Sequence, residues 1–404
     1  MRDRRSTAIW TAALVSAALL GTLGPAGTAS AAPRTLIVAT SGNDSAPGTL
    51  AQPLRTVQRA VDLAAPGDTI AVRGGTYPLT DNITITTSGT SSAPITLGAY
   101  QGERVVIDGE QLPASHTPVG GSIARPDRGA IHQEASYWRI SDLEIVNGPY
   151  GVYCDGCNGN VFARLKTHDN YESGFQLQGA SSNNQILNLD SYANRDPRKN
   201  GESADGLAIK EGSGTGNVVR GARLWNNVDD GFDNWKFTSP VVVENTVAYG
   251  NGFNRWGFPD FAGDGNGFKL GGGSPAPAVA HTLRNSVSFK NAAHGITDNS
   301  NAGALALTRN STFSNAGTGF DVDVSGGKAV LTANLSVADA RAVALGSATV
   351  STGNSWNLGG TWNAASVLST DPAPLTGARA ADGSLSSAPS FLVPRNGANI
   401  GARF

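Results

Sequence analysis

Six segments of this chain share one pattern: an aromatic residue, any residue and an asparagine, followed after an interval by a glycine and an apolar residue. From each glycine to the next asparagine there are 20, 21, 20, 24 and 20 residues. The copies are His168/Asn170/Gly174-Phe175, Tyr192/Asn194/Gly206-Leu207, Trp225/Asn227/Gly231-Phe232, Tyr249/Asn251/Gly267-Phe268, Phe289/Asn291/Gly295-Ile296 and Phe313/Asn315/Gly319-Phe320. A period in the low twenties, with short β-branched runs, predicts an all-β parallel β-helix with coils ~4.8 Å apart.

The repeated asparagine suits the turns of such a solenoid. Asparagine tolerates left-handed backbone angles, and its amide can bond the same atoms of the coils above and below. Leucine-rich repeats have a similar period but require a regular lattice of leucines, which this sequence lacks. The high glycine content, 51 of 404 residues, agrees with several turns in every coil.

The chain is expected to consist of a secretory signal over residues 1–31 and one parallel β-helix domain over residues 32–404. A basic start, an apolar stretch from Ala8 to Leu23 and the small residues Ala29-Ser30-Ala31 are typical of an export signal, so we expect a secreted, extracellular protein. Apolar residues at helical spacing over residues 54–64 predict an N-terminal helix that caps the open end of the coils. No other apolar run reaches the ~20 residues of a membrane span, and we expect no membrane partner.

Charge and cysteine content narrow the functional classes. Loss of residues 1–31, with three arginines and one aspartate, takes the formal charge from −2 to −4. Mild acidity argues against nucleic acid as a partner. We also expect the protein to be a monomer.

The two cysteines, Cys154 and Cys157, favour a small loop disulfide in an exported chain, although free thiols or a redox pair remain alternatives.

The repeat also places acidic residues together. Counted from the repeat glycine, Asp205 and Asp230 stand one residue before it on successive coils, and Asp233 and Lys269 stand two residues after it on the next pair. With Asp229 they form one predicted exterior patch. Long inserts of 11 residues (195–205) and 15 residues (252–266) flank the central coil.

Four close carboxylates repel one another unless a cation lies among them. Ligands that are all oxygen favour Ca²⁺ over zinc or copper. The simpler interpretation is that these are ordinary turn aspartates, as Asp-Gly pairs often are. The lysine favours a catalytic site, because an amine beside a divalent cation loses its proton more easily.

The stretches that surround these residues resemble family 9 of the polysaccharide lyases, which are pectate-lyase-like right-handed parallel β-helix enzymes. The matching segments are 204–206, 216–233 with Val228-Asp229-Asp230-Gly231-Phe232-Asp233, 265–272 with Gly267-Phe268-Lys269-Leu270, and 67–77 near the start. The resemblance implies that Asp205, Asp229, Asp230 and Asp233 hold Ca²⁺ and that Lys269 is the catalytic base. It also implies that the substrate is an acidic plant-type polysaccharide such as pectate.

The residues fit that chemistry independently. In a 4-linked uronate, a cation can neutralise the carboxylate while a neutral lysine removes the C5 proton, and the O4 bond then breaks. Lys210, Lys236, Arg255 and Trp256 are candidate substrate-binding residues, although an ordinary surface role is equally compatible with each. The alternatives are a β-helix glycoside hydrolase with Asp229 and Asp230 as acid and base, a C5-epimerase, and a non-catalytic Ca²⁺-binding surface solenoid.

Overall fold

The computed structural model describes residues 32–404, and Pro33–Phe404 form one compact unit. The secretory signal predicted over residues 1–31 lies outside the described residues. The described chain winds through three parallel sheets, and each coil contributes one strand to each sheet in turn. The parallel β-helix predicted from the repeat is confirmed.

The helices and strands are short and follow one another with a regular order. In chain order they are β1 (Thr35–Val38), α1 (Val57–Leu63), β2 (Thr69–Val72), β3 (Gly75–Pro78), β4 (Ile83–Ile85), β5 (Ile95–Ala99), β6 (Val105–Asp108), β7 (Ile131–Gln133), β8 (Trp138–Ser141), β9 (Glu144–Val146), β10 (Val152–Asp155), β11 (Val161–Ala163), β12 (Lys166–His168), β13 (Phe175–Ala180), β14 (Gln185–Leu187), β15 (Asp190–Tyr192), β16 (Leu207–Ser213), β17 (Asn217–Arg220), β18 (Arg223–Trp225), β19 (Phe232–Asp233), β20 (Val241–Glu244), β21 (Val247–Tyr249), β22 (Phe268–Lys269), β23 (Thr282–Arg284), β24 (Val287–Phe289), β25 (Ile296–Thr297), β26 (Ala306–Thr308), β27 (Ser311–Phe313), β28 (Thr318–Val322), β29 (Val330–Thr332), β30 (Leu335–Val337), β31 (Arg341–Leu345), β32 (Val350–Thr352) and α2 (Ala373–Thr376). Single 3-10 turns occur at Tyr100–Gly102, Pro113–His116, Arg125–Asp127, Pro197–Lys199, Ser355–Asn357 and Ala364–Ser366.

Three sheets enclose the core. Sheet 1 contains the 12 strands β1, β2, β5, β8, β11, β14, β17, β20, β23, β26, β29 and β32. Sheet 2 contains the 10 strands β3, β6, β9, β12, β15, β18, β21, β24, β27 and β30, and sheet 3 the 10 strands β4, β7, β10, β13, β16, β19, β22, β25, β28 and β31. The apolar residues that follow the repeat glycines align in one buried inward column on sheet 3, namely Phe175, Leu207, Phe232, Phe268, Ile296 and Phe320. Their alternate neighbours therefore point outward.

The N-terminal helix α1 covers Val57–Leu63, a shorter span than the sequence predicts. The Thr56 hydroxyl accepts from the Arg59 backbone N–H and so caps the first turn. Val57, Ala60 and Val61 are buried in the same core as the first strands. Its role as a cap of the coil stack remains a prediction.

Asparagine side chains form a ladder at the corner between sheets 2 and 3. The Nδ2 of each donates to the Oδ1 of the next, from Asn170 through Asn194, Asn227, Asn251 and Asn291 to Asn315, over 2.8–3.0 Å. Two shorter ladders, Asn160–Asn184–Asn217 and Asn310–Asn334–Asn354, occupy the other two corners. Each ladder fixes the height of successive coils, because a buried amide must find a partner.

Residues after about 360 lie along the outer face of sheet 2. Val367, Leu375, Phe391 and Ile400 pack with Val247, Val287, Phe289, Phe313, Leu335 and Val337 in a second apolar cluster. The aromatic rings of His168, Tyr192, Trp225, Tyr249 and Phe289 stack along the same face at 4.2–5.8 Å between centroids. Each stacked ring is in contact with the ring of the next coil, so these aromatic side chains contribute to packing.

The structure also bears on the predicted disulfide and on the question of a membrane span. Cys154 and Cys157 are joined by a disulfide. Within residues 32–404, no helix has both the length and the apolar character needed to cross a membrane.

Candidate active site

Three long loops connect sheet 2 to sheet 3 and wall a cleft above sheet 3. They cover residues 109–130, 193–206 and 250–267. The backbone N–H of Gly120 donates to the Arg198 carbonyl over 2.9 Å, and that of Ala262 donates to the Asn200 carbonyl over 3.0 Å. The linked loops border a cleft of about 570 Å³ that is also lined by Lys210, Asp229, Asp233, Trp235 and Lys269.

One outward row of sheet 3 runs through this cleft. Ala208, Asp233, Lys269, Thr297 and Asp321 pair in register on β16, β19, β22, β25 and β28. Asp233 and Lys269 are therefore neighbours, as the spacing from the repeat glycines predicts. Ala208 contributes only a methyl group, which leaves room in the row next to Asp233.

Asp205, Asp229 and Asp230 lie at the turn just before the row and form a compact carboxylate cluster. Each offers one oxygen within 4.8 Å of the others. All three are buried, at 0%, 1% and 0% exposure, because the loops cover a face that the sequence alone places on the exterior. Asp205 Oδ1 and Asp230 Oδ2 are enclosed without a hydrogen-bond partner.

Two lysines contact these carboxylates. Lys210 Nζ donates to Asp205 Oδ2 over 2.8 Å and to Asp233 Oδ2 over 3.3 Å. Lys269 Nζ donates to Asp264 Oδ2 over 2.7 Å and lies 3.1 Å from Asp230 Oδ2. The latter contact is an ion pair that lies outside hydrogen-bond geometry. The remaining Asp233 oxygen, Oδ1, accepts from the backbone N–H of Trp235 over 2.9 Å. Asp233 is not part of the three-carboxylate cluster.

Burial dominates the electrostatics of the cluster. It raises the pKa of Asp205 to about 7 and that of Asp230 to about 6, and it also raises the pKa of Asp229, with help from the charge of Asp230. Burial acts to lower the pKa of Lys269, but the carboxylates of Asp230, Asp233 and Asp229 outweigh it and the pKa is raised. Without a cation, the site therefore holds its amine protonated and some carboxyls protonated.

The donor set fits a hard divalent cation. Only carboxylate oxygens converge, and two of them accept no hydrogen bond. Ca²⁺ accepts oxygen ligands of this kind, whereas zinc and copper sites favour nitrogen and sulfur. Asp205, Asp229 and Asp230 are the residues that could hold such an ion, and Asp233 adjoins them through Lys210.

Several residues that contact the carboxylate cluster or line the cleft are not predicted from the sequence. Asp230 Oδ1 accepts from the Asn266 N–H and Nδ2 at 2.7 and 2.9 Å, and Asp229 Oδ1 accepts from the Asp264 N–H at 2.6 Å. Asp264 and Asn266 end an insert whose position the repeat does not specify; their one signal is the segment Gly263-Asp264-Gly265-Asn266-Gly267. Glu172, buried and paired with Arg198, also lines the cleft.

Only one of the four candidate substrate-binding residues lines the cleft. Lys210 lines the cleft. Lys236 Nζ lies 4.1 Å from the centre of the Trp235 ring, Arg255 donates to Asn226 Oδ1 and to the Gly250 carbonyl, and Trp256 stacks near Phe258. None of these three is among the described residues that line the cleft, so their substrate contacts remain predictions.

Comparison with protein families gives a match over residues 36–334 to the model described as Pel9A-like, right handed beta helix region. A pectate lyase of Emericella nidulans, PEL9, is 50% identical over 387 residues, 91% of this chain and 94% of that protein.

Solved structures give a matching result. The crystal structure of pectate lyase Pel9A is 33% identical with a TM-score of 0.77, over 90% of this chain and 88% of that one. A rhamnogalacturonan lyase is 26% identical, also with a TM-score of 0.77, over 89% of this chain and 96% of that one. The right-handed β-helix thus extends over most of both chains.

Proposed function

This chain belongs to the Pel9A-like right-handed β-helix family and is a polysaccharide lyase, and on that premise we propose that it cleaves pectate or a related uronic-acid polymer by Ca²⁺-assisted β-elimination. Lys269 is the base in this proposal, and Asp205, Asp229, Asp230 and Asp233 form the acidic site. The observation that carries it is the buried cluster of carboxylates, two of whose oxygens accept no hydrogen bond, beside a lysine amine in an open cleft.

The carboxylates supply the cation site. Asp205, Asp229 and Asp230 would hold Ca²⁺, and Asp233 completes the acidic surroundings. When bound, Ca²⁺ supplies Lewis-acid neutralisation of a uronate carboxylate, which makes the adjacent C5 proton more acidic. Asn266 holds Asp230 in place through two hydrogen bonds, so the donor set is formed before substrate arrives.

Lys269 handles the proton. Its neutral amine takes the proton from C5, the electron pair of that bond forms the C4=C5 double bond, and the bond from C4 to the leaving O4 breaks. The departing oxygen takes a proton from solvent. Carboxylates that share a cation attract an ammonium less strongly, so Lys269 loses its proton more easily when the site is filled.

The substrate class follows from the relatives and from the site chemistry. A pectate lyase at 50% identity and a pectate lyase structure at 33% identity favour polygalacturonate. Because a rhamnogalacturonan lyase is also similar, other pectic polymers that contain uronic acid are candidate substrates as well. Secretion, which the segment 1–31 predicts from sequence, would place the enzyme where such polymers occur. The proposed monomer would suffice for the reaction, since all the residues assigned a role here belong to one chain.

A panel of uronic-acid polymers tests the function. Polygalacturonate, rhamnogalacturonan and alginate are incubated with the protein and Ca²⁺, and the ultraviolet absorbance of a 4,5-unsaturated product is followed. We expect absorbance from at least one pectic polymer, its loss with chelator, recovery with Ca²⁺ and poor recovery with Mg²⁺, which prefers a tighter octahedron. Saturated ends without ultraviolet absorbance, or full activity in excess chelator, would contradict the proposal.

A further inference from the structure

The basic side chains of the cleft differ in whether a carboxylate neutralises them. Among residues 32–404, the lysines and arginines that line the cleft are Arg128, Arg198, Lys199, Lys210 and Lys269. All but one form ion pairs, namely Arg198–Glu172, Lys199–Glu202, Lys210–Asp205 and Lys269–Asp230. Arg128 is the exception, since its hydrogen bonds within the described chain go to a hydroxyl and a carbonyl. Glu211 lines the same cleft but is not paired with Arg128. An anionic ligand therefore finds a guanidinium without a carboxylate partner at this position.

Arg128 is held in place near the end of the loop 109–130. Its Nη1 donates to the Tyr153 hydroxyl over 3.0 Å and its Nε to the Ile123 carbonyl over 3.4 Å. The guanidinium carbon lies 5.4 Å from the centre of the Tyr153 ring. Nη2 donates to no acceptor of residues 32–404, and it is not among their enclosed polar atoms. One N–H of Nη1 and both of Nη2 thus remain for a ligand, and two such nitrogens side by side match a carboxylate.

A second group beside Arg128 lacks a partner. The Tyr153 hydroxyl accepts from Arg128 and donates to Gln178 Oε1 over 2.9 Å, and the same oxygen accepts from Gln176 Nε2 over 2.6 Å. These bonds turn the Gln176 amide so that its Oε1 points away from Gln178. Gln176 lines the cleft at 2% exposure, and its Oε1 is enclosed without a hydrogen bond. A buried amide oxygen needs a donor, and a sugar hydroxyl is one.

These residues belong to the outward row of sheet 3 that carries the proposed base. Tyr153, Gln176 and Ala208 pair in register on β10, β13 and β16. The row continues through Asp233 to Lys269. Tyr153 therefore lies four coils from Lys269, roughly 19 Å away. One unit of a 1,4-linked pyranose chain is about as long as the spacing between two coils, so a polymer that follows the row passes both places.

We propose that Arg128 and Gln176 form a remote subsite for a uronate that lies about three to four sugar units from the unit that loses its C5 proton. Arg128 binds the carboxylate of this sugar through Nη1 and Nη2, and Gln176 Oε1 accepts from one of its hydroxyls. This inference rests on the proposed elimination of polyuronates. It adds that chains long enough to reach from Lys269 to Arg128 bind better than shorter ones.

The test compares Arg128→Gln with Arg139→Gln. Arg139 is exposed on β8, the strand of sheet 1 that follows β7 in the same coil as Arg128. Both substitutions remove one positive charge, so a difference between them reports the subsite and not long-range steering. Substrates are polygalacturonate and galacturonate oligomers of about two to about eight units, which fall short of or exceed the distance to Arg128. Values of kcat and KM are measured for each length with Ca²⁺.

We expect kcat/KM of the wild type to rise with oligomer length up to about five units. Arg128→Gln should raise KM about 5- to 20-fold on polygalacturonate and on the longer oligomers, because a charged hydrogen-bond donor is lost. Its kcat should change little, and the shortest oligomers should behave as with the wild type. Arg128→Lys keeps the charge but not the paired nitrogens, so its loss should be smaller and again confined to long chains. Arg139→Gln should match the wild type.

Three outcomes would overturn the inference: an unchanged KM of Arg128→Gln at every length, an equal rise in KM for the shortest and the longest oligomers, or the same rise in Arg139→Gln. The second of these would indicate a structural role. If Arg128→Gln does not fold, the same comparison of lengths with Arg128→Lys decides.

Failure of the proposed function is distinguishable, because wild-type protein would then produce no unsaturated product from any uronic-acid polymer. Calorimetry of a long galacturonate oligomer with Lys269→Ala and with Lys269→Ala/Arg128→Gln tests the subsite without turnover. Binding that is about 5- to 20-fold weaker in the double variant supports the subsite, and equal binding contradicts it.

Discussion

At the scale of single residues, the main feature of the site is that burying its carboxylates costs free energy when no cation is bound. Asp205, Asp229 and Asp230 are almost fully enclosed, and two of their oxygens, Asp205 Oδ1 and Asp230 Oδ2, accept no hydrogen bond. An unsatisfied buried polar group costs about 1–3 kcal/mol, and more when it is charged. In the proposed function, a cation bound by these oxygens would offset this cost.

The proposed base, Lys269, is the first residue to test. Lys269→Ala should lower kcat by about 10²- to 10⁴-fold, because a positioned proton acceptor is lost, while Ca²⁺ binding and the melting temperature change little. Activity is measured on polygalacturonate and binding by calorimetry. Lys166→Ala, on an exposed position of sheet 2, serves as the control. Turnover by folded Lys269→Ala within a few-fold of wild type would refute the assignment and direct attention to Lys210.

The carboxyl pKa values predict how pH affects the ion-free protein. Since the pKa of Asp205 is raised to about 7 and that of Asp230 to about 6, their contribution to stability is complete below the unfolded value near ~4. It is lost as pH rises through the folded values. We expect the melting temperature of chelator-treated protein to fall between about pH 4 and 7, and Ca²⁺ to restore it.

In the folded protein, deprotonation of the same carboxyls makes Ca²⁺ affinity rise as pH passes through about 6 to 7, and binding releases protons that calorimetry in two buffers detects. Asp205→Asn keeps an acceptor for Lys210 but removes one of the titrating groups, so its melting temperature should depend less on pH. A pH-independent melting temperature in the wild type without Ca²⁺ would contradict the cause assigned to these shifts.

At the scale of elements, the asparagine ladder and the site share one corner. Asn227 stands two residues before Asp229, and Asn251 accepts from both the backbone N–H and the Nδ2 of Asn227 over 3.0 Å. Asn251 Nδ2 in turn donates to Asn291 Oδ1 over 2.9 Å and to the Leu224 carbonyl over 3.1 Å. The ladder therefore sets the position of the turn that presents Asp229 and Asp230.

Breaking that ladder should affect stability and metal binding together. Asn251→Ala leaves several buried groups without partners, and we expect at least about 2 kcal/mol of lost unfolding free energy and weaker Ca²⁺ binding. Urea unfolding and calorimetry measure the two effects. Asn254→Ala, in an exposed part of the neighbouring loop, should cost little by comparison. Equal stability of the two variants would show that the ladder is not a structural requirement.

The sequence predicts repeated elements better than inserted ones. The pairing of Asp233 with Lys269 follows from counting residues from the glycines, because register on adjacent coils is fixed by the inward apolar column. Asp264 and Arg198 lie on inserts that no repeat constrains, and their contacts depend on how three loops meet. The same reason explains why Arg255 and Trp256, chosen from an insert, do not line the cleft.

At the scale of the whole molecule, the C-terminal segment links coils that would otherwise contact only their neighbours. Arg379 and Arg223 both bind the Asp190 carboxylate, which joins the tail to the middle of sheet 2. Further along, Phe391 packs against Phe289 with 5.9 Å between ring centroids. One segment thus covers the apolar outer face of sheet 2 over several coils.

Loss of this cover should weaken the solenoid as a unit. Phe391 is buried at 4% exposure, so Phe391→Ala should cost about 3–5 kcal/mol and, by loosening the segment that joins distant coils, broaden the urea transition or split it. Leu368→Ala, at 46% exposure in the same segment, is the matched control and should change little. Fluorescence and circular dichroism followed through the same titration detect any separation of the coils. The contrary result is a single sharp urea transition with an unchanged m value and a shifted midpoint. It would mean that all coils still unfold together when the C-terminal segment is loosened. The asparagine ladders and the core would then be sufficient to couple the coils.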